Sequence, residues 1–335
     1  MSAINPPQSL ADGYVKWLRG KVGSQLIYLV YASAVIFDAQ GRILAQTRYD
    51  FDWLSIPGGA MEPGETLLQT ARREVREETG ITAEIKGLAG LLTHPRYNLR
   101  YPNGDQVQQW TAIFWGEAAG GALQADGGET LTAFFIEPEA FLRRTHPSHQ
   151  EMVTCALRAR AGEPPQIEPV ESFPPLRPYY PVLRAAVGHE TVILPGALAI
   201  VEDDRGYILM TYRADFACWD FPGGFSDLGE TCPATVVREV QEETGLIVEP
   251  YALVGLYSDP RLFYVTYPNG DAVHGVGAAY ACRVTGGQLI PEGADDENSA
   301  VAFLPVEQVL AQTRLEAISQ IMHDYLDRGG WPHIR

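Results

Sequence analysis

The chain has 335 residues, 46% of them hydrophobic and 20% charged, which is too long for one ordinary domain and suited to two. Its 25 basic and 42 acidic residues give a formal net charge of −17, a surface that repels a phosphate backbone and argues against a processive RNA or DNA partner. No stretch approaches the roughly 18 apolar residues of a membrane-spanning helix, MSAINPPQSLADG at the start lacks the pattern of a secretory signal, and Cys155, Cys218, Cys232 and Cys282 show no CxxC spacing, so reduced thiols and a cytoplasmic location are expected, with no membrane partner.

In chain order, residues 26–38 (LIYLVYASAVIFD) read as a buried strand, AQGR as a turn and ILAQTR as a second strand. A glycine-rich loop at Pro57-Gly58-Gly59 leads into a helix with Thr66 as N-cap, Leu67, Ala71 and Val75 as its buried stripe, and Gly80 as its left-handed C′ residue. A strand near 85–93 follows, then a hairpin pivoting on Asn103-Gly104, the usual signal for a type I′ turn, and a closing helix near 148–160. Residues 161–178 (AGEPPQIEPVESFPPLRP) carry six prolines and little to bury, and read as a stiff linker with no regular ladder.

The same series then recurs. A shift of 165 places Arg48 on Arg213, Pro57-Gly58-Gly59 on Pro222-Gly223-Gly224 and Pro95-Arg96 on Pro260-Arg261; one inserted residue then aligns Tyr101–Asp105 with Tyr267–Asp271. In this copy, strands at 192–202 and 207–213 precede a helix capped by Thr231 and Gly245, with Cys232, Val236 and Val240 as its stripe. A strand near 250–258, a hairpin at Asn269-Gly270 and a helix near 306–327 complete it. The reading is a duplication: domain 1 at 1–160, linker at 161–178 and domain 2 at 179–335, each a layered α/β domain with mixed strands.

Chemistry concentrates on the helix after each glycine loop. Glu74, Glu77 and Glu78 stand at i, i+3 and i+4, on one face, as do Glu239, Glu242 and Glu243. Each like-charge pair costs a few tenths of a kcal/mol, and carboxylates in the last turn oppose the helix dipole by roughly 0.3–1 kcal/mol each. Arg73 and Arg238 offset part of this; the natural counterpart of three hard oxygen ligands is Mg²⁺ or Mn²⁺. A solvated acidic face is the bland alternative for one such helix, but both copies also carry a Gly-Gly loop and a second glutamate, Glu65 or Glu230, at the same distance upstream.

These residues resemble the Nudix box, Gly-x5-Glu-x7-Arg-Glu-U-x-Glu-Glu-x-Gly-U with U a bulky aliphatic residue. The match runs through Gly59, Glu65, Arg73, Glu74, Val75, Glu77, Glu78, Gly80 and Ile81, and again through Gly224, Glu230, Arg238, Glu239, Val240, Glu242, Glu243, Gly245 and Leu246, with no constrained position departing. The resemblance implies two tandem α/β/α sandwich domains that hydrolyse nucleoside diphosphates linked to a group X. It further implies Glu77, Glu78, Glu242 and Glu243 as metal ligands, and Glu74 and Glu239 as a ligand or the base that activates water. The Gly59 and Gly224 turns would complete the metal shell by a carbonyl, and Glu65 and Glu230 would orient the arginines. Some members place the base in a downstream loop, for which Glu129 and Glu297 are the aligned residues; each also reads as an exposed loop acid.

For substrate contacts, Tyr101 and Tyr267 offer a stacking surface beside each hairpin, with strand packing as the alternative. Trp219 stands where copy one has Leu54, and His274-Gly275-Val276 where it has Gln108-Gln109-Trp110, so the two pockets are expected to differ. The flanking pattern resembles ADP-ribose pyrophosphatase-like bacterial members, and the expected partner is a small nucleotide. Members often pair, which makes an intramolecular pseudo-dimer an expectation. The alternative reading is a nucleotide sensor that binds without turnover; its signature would be lost box carboxylates, and neither copy has lost one.

Overall fold

The computed structural model describes residues 13–293, 298–312 and 316–335, in two units that divide between Gln166 and Ile167. Domain 1 runs α1 (Tyr14–Val22), β1 (Leu26–Phe37), β2 (Ile43–Arg48), β3 (Gly58–Ala60), α2 (Leu67–Thr79), β4 (Ile81–Leu92), β5 (Leu99–Arg100), β6 (Gln106–Gly121), β7 (Thr130–Ile136), α3 (Pro138–Leu142) and α4 (Pro147–Arg160). The β-branched and aromatic run of β1 is buried along nearly its whole length, as a strand covered on both faces must be. It pairs in parallel with β6 from Leu26↔Gln106 to Phe37↔Glu117, in a mixed sheet ordered β4-β6-β1-β2-β7. Helices α2 and α4 cover this sheet as an α/β/α sandwich; Val35, Phe37, Ile56 and Ile113 meet Met152, Val153 and Ala156 in the core under α4. Only Phe37↔Ile43 joins β1 to β2, so the ladder opens and β3 fits against β1 through Ser33↔Gly58 and Ala32↔Gly59. That opening carries the glycine loop to the middle of the sheet.

Domain 2 repeats the plan: β8 (Ser172–Arg177), α5 (Tyr179–Val187), β9 (Val192–Val201), β10 (Tyr207–Arg213), β11 (Cys218–Asp220), β12 (Gly223–Phe225), β13 (Leu228–Glu230), α6 (Cys232–Thr244), β14 (Leu246–Tyr257), α7 (Pro260–Phe263), β15 (Tyr264–Thr266), β16 (Ala272–Gly287), β17 (Asn298–Pro305), α8 (Val306–Gln312), α9 (Glu316–Leu326) and β18 (His333–Ile334). Here β9 and β16 form the parallel pair, in the order β12-β9-β16-β14-β18. The link from β9 to β10 shrinks to the bridge Glu202↔Ile208, and β10 with β11 and β17 forms a separate ladder.

Four expectations need amendment. Ser172–Arg177, inside the expected linker, is a strand paired irregularly with β13 through Leu228↔Arg177 and Glu230↔Ser172. Prolines are compatible with such a short edge pairing because few of its N–H groups are used. The Asn103 and Asn269 turns are not type I′: Gly104 and Gly270 have positive φ but the asparagines do not, since Pro102 and Pro268 hold the position before them at negative φ. Instead Gly104 N–H donates to Tyr101 O at 2.9 Å and Asp105 N–H to Asn103 Oδ1 at 3.0 Å. Strands β4 and β14 start at Ile81 and Leu246, earlier than expected, because the left-handed glycines at 80 and 245 turn the chain straight into them. The helix expected over 306–327 is α8 and α9, with 313–315 outside the described residues.

Candidate active site

The carboxylate helices are fixed at both ends. Thr66 accepts from Gln69 N–H at 3.2 Å while Gln69 Oε1 accepts from Thr66 N–H at 2.8 Å, a reciprocal capping box. Position N3 of α6 is Ala234, so the box cannot close there. Instead the segment before β8 ties down the cap: Thr231 Oγ1 donates to Pro169 O at 2.8 Å and Thr231 N–H to Glu171 O at 3.0 Å. Both helices bury the stripe that their spacing specifies, with Leu67, Ala71, Val75, Val236 and Val240 at 0% exposure.

On the opposite face an arginine organises the acids. Arg73 donates to both Glu65 oxygens at 2.7 and 2.9 Å, to Glu74 Oε1 at 2.6 Å, to Glu77 Oε2 at 3.3 Å and to Ala60 O at 3.1 Å. Arg238 repeats this on Glu230 (2.6 and 3.1 Å), Glu239 (2.8 Å), Glu242 (2.9 Å) and Phe225 O (3.0 Å). Glu65 also accepts from the Thr70 hydroxyl and from Glu62 N–H; burial raises its pKa, but the Arg73 bonds outweigh that and hold it below the usual carboxylate range. The pair is therefore a rigid strut between the helix and the glycine loop.

The third acid of each box faces inward. Glu78 is 5% exposed and accepts from Gly58 N–H at 2.9 Å; Glu243 is 6% exposed and accepts from Gly223 N–H at 3.2 Å. Beside them, a Cβ at Gly59 or Gly224 would displace a box carboxylate, since it would stand 2.3 Å from Glu74 Oε1 or 2.5 Å from Glu239 Oε1. The loop backbone is thus pressed against the carboxylates. Arg48, noted in the sequence only as a repeat marker, joins the site by donating to Glu78 Oε1 at 3.2 Å, Glu129 Oε2 at 2.7 Å and Asp50 Oδ1 at 2.9 Å. Glu129 is therefore paired at the rim, while Glu297 lies outside the described residues.

Among the described residues no three His, Cys, Asp or Glu side chains converge as a metal cage; guanidinium groups stand among the box acids. The donor chemistry nevertheless fits a divalent cation. Burial, and then the neighbouring Glu74, pushes Glu78 up to about 8 despite Arg48 and Gly58 N–H, and burial pushes Glu239 up to about 7 against the pull of Arg238. Glu74 is raised for the same reason, burial first. Burial thus makes these carboxyls hold their protons more tightly than free ones when no cation stands beside them, and their oxygens are hard donors suited to a hydrated divalent ion.

Each helix face opens into a cavity, about 570 Å³ in domain 1 and about 1220 Å³ in domain 2. Tyr101 and Tyr267 line them, but Trp219 does not: its ring packs edge-on to Tyr212 and against the domain 2 core, leaving its neighbour Asp220 on the cavity wall. In domain 1 the inner wall carries Ser55 and His149, residues that sequence reasoning passed over. Ser55 Oγ and His149 Nδ1 are buried without a hydrogen-bond partner, and burial lowers His149 to about 3, keeping it neutral. A lone serine or histidine carries no periodic signal, so nothing in the sequence singles them out.

The NUDIX domain family model matches residues 28–156 and 193–325. Among curated relatives, a MutT-like protein of Streptomyces ambofaciens is 34% identical over 136 residues, covering 41% of this chain and 78% of the relative. A putative 8-oxo-dGTP diphosphatase of Bacillus subtilis is 30% identical over 112 residues (33% and 68%), and an ADP-ribose pyrophosphatase of Methanocaldococcus jannaschii 35% over 117 residues (34% and 62%). Among solved structures, an ADP-ribose pyrophosphatase from Streptococcus suis matches 42% of this chain and 96% of its own at 22% identity, with a TM-score of 0.32.

Proposed function

This chain belongs to the NUDIX family and is a hydrolase, and from that premise we propose that both domains cleave the diphosphate linkage of a nucleoside diphosphate joined to a group X, each with its own divalent cation. The observation that carries the reading is the repeated strut. Arg73 and Arg238 each clamp one upstream glutamate with both ends and hold the first box glutamate by one oxygen, leaving its other oxygen free of the arginine.

In this reading Glu77, Glu78 and the Gly59 carbonyl would hold Mg²⁺ or Mn²⁺ in domain 1, and Glu242, Glu243 and the Gly224 carbonyl would do so in domain 2, while Glu74 and Glu239 keep their one free oxygen for the water. The cation, when bound, screens the diphosphate from the carboxylates and stabilises charge at the attacked phosphorus. Glu74 or Glu239 takes a proton from water, whose oxygen bonds to one phosphorus as the P–O bridge breaks; the bridging oxygen leaves on the other phosphate. Nucleoside monophosphate and X-phosphate are the products. Arg48 steadies Glu78 and supplies positive charge beside the incoming phosphates, and Glu129 at the rim is the second position for a base. Tyr101 and Tyr267, on the cavity walls, offer ring faces to the nucleoside.

Hydrolysis of ADP-ribose or a nucleoside triphosphate in ¹⁸O-labelled water with Mg²⁺ tests this. One labelled oxygen in one of the two phosphate products is expected, and the signal should vanish with EDTA. Binding of nucleotide without labelled product would replace this reading with the sensor.

A further inference from the structure

The two sites share a box but stand on different floors. In domain 1 the sheet presents Tyr31 from β1 and Gln109 from β6 to the cavity, with Thr111 paired to Tyr31 in the parallel ladder. The corresponding residues of domain 2 are Gly196, Gly275 and Gly277: Gly196 pairs with Gly277 as Tyr31 does with Thr111, and Gly196 with Phe225 as Tyr31 does with Ala60. Tyr31 and Gln109 are held in place, Tyr31 by a 3.3 Å contact between its hydroxyl and that of Tyr101, Gln109 by donating to Tyr97 O at 2.6 Å. The absence of the two side chains that line the domain 1 cavity, Tyr31 and Gln109, accompanies the larger cavity of domain 2, about 1220 Å³ against about 570 Å³.

Packing accounts for only one of these glycines. A Cβ on Gly196 would stand 2.5 Å from Gly224 O, so the course of the domain 2 turn leaves no room for one, although domain 1 carries Tyr31 at the same place. A Cβ on Gly275 would meet nothing closer than 3.4 Å, and one on Gly277 nothing closer than 3.8 Å, both ordinary contacts. Glycine within a strand weakens it, and its usual reason is the close approach of something else to the backbone. Tyr180, which stacks on Phe225 with centroids 5.5 Å apart, and Tyr267 line the same cavity, so the space over bare peptide has aromatic walls.

We propose that the two sites have diverged in the far end of the substrate they admit. Domain 2 takes a diphosphate with ring systems at both ends and seats one ring flat against Gly275 and Gly277. Tyr31 and Gln109 confine domain 1 to a diphosphate with one ring-bearing end and a compact second end such as phosphate. The inference rests on the reading that both boxes cleave diphosphates.

Full-length chains with one box silenced, Glu78→Gln to isolate domain 2 and Glu243→Gln to isolate domain 1, are assayed on a diadenosine polyphosphate and on a nucleoside triphosphate. The ratio of kcat/KM values, two-ringed over one-ringed, should be at least about tenfold higher for domain 2. Adding Gly275→Gln and Gly277→Thr to the Glu78→Gln chain should remove about tenfold from the two-ringed substrate and leave the triphosphate rate within a factor of a few. The reverse change, Gln109→Gly in the Glu243→Gln chain, should raise the two-ringed rate, and it reports even if the glycine replacements unfold. Equal ratios in the two single-site chains, or ratios unmoved by these swaps, overturn the inference while the hydrolase reading stands. No turnover of either substrate, nor of ADP-ribose, by the unmodified chain overturns both.

Discussion

Replacing Gly59 by alanine adds one methyl group at the point where loop and helix touch. Neither Gly58 nor Gly59 has positive φ, so the effect is steric and not conformational. At position 59 the new Cβ would stand 2.3 Å from Glu74 Oε1 and 2.4 Å from Glu74 Cδ, about 1 Å short of the 3.4 Å at which ordinary contact begins. The carboxylate is the end of a flexible side chain and can yield, but only by leaving the 2.6 Å bond to Arg73 Nη1. A displacement of that size at a reacting group costs about 10²-fold in rate. Gly58→Ala is the control: its Cβ would stand 2.7 Å from the Ser33 Cα, backbone that cannot yield, so this variant should lose stability as well as activity. In the Glu243→Gln chain, where only domain 1 turns over, Gly59→Ala should lower kcat/KM about 10²-fold with its thermal transition nearly unmoved, and Gly58→Ala should lower the transition. Full activity in Gly59→Ala would refute the claim that this close approach sets the geometry of Glu74.

Glu230→Gln replaces the carboxylate end of the Arg238 strut with a neutral amide and should cost about 10–100-fold in Mg²⁺ affinity or turnover at domain 2, read in the Glu78→Gln chain. Thr66→Ala should destabilise domain 1 by about 1 kcal/mol in urea unfolding; Thr231→Ala should cost domain 2 more, because Thr231 Oγ1 also holds Pro169 O. Glu78, raised to about 8, and Glu239, raised to about 7, bind protons more tightly folded than unfolded, where carboxyls titrate near 4.3. In EDTA that contribution is complete below about pH 4 and is lost as pH rises toward 8, so the melting temperature should fall across this window. Saturating Mg²⁺ should flatten the decline, and a metal-free melting temperature that does not fall across this window would contradict the claim that burial raises these carboxyls.

Where the sequence was legible, a physical constraint repeated along it. The box helices could be read because three restrictions coincide: a stripe at i, i+4 and i+8, a capping threonine and a left-handed glycine. Strands β2 and β10 could be read to the residue because a turn bounds each. What escaped has no local signature. Arg48 reaches Glu78 across 30 residues, Ser55 and His149 meet the cavity from separate elements, and Pro169 and Glu171 reach Thr231 only because the chain folds back. Trp219 stood out by its size and by its difference from Leu54, yet the alternation of β11 turns its ring to the core and offers Asp220 to the cavity. The proline-rich stretch failed for a related reason, since composition describes what a segment lacks and not the edge that receives it.

The central claim is that one chain carries two complete, independently working hydrolase sites. It is tested most directly by Mg²⁺-dependent monophosphate release from a panel of ADP-ribose, dinucleoside polyphosphate and nucleoside triphosphates by the unmodified chain, Glu78→Gln, Glu243→Gln and the double variant. Each single variant should keep part of the activity, with the two parts adding to the whole, and the double variant should keep none. Complete loss in either single variant, or activity surviving in the double, would contradict it.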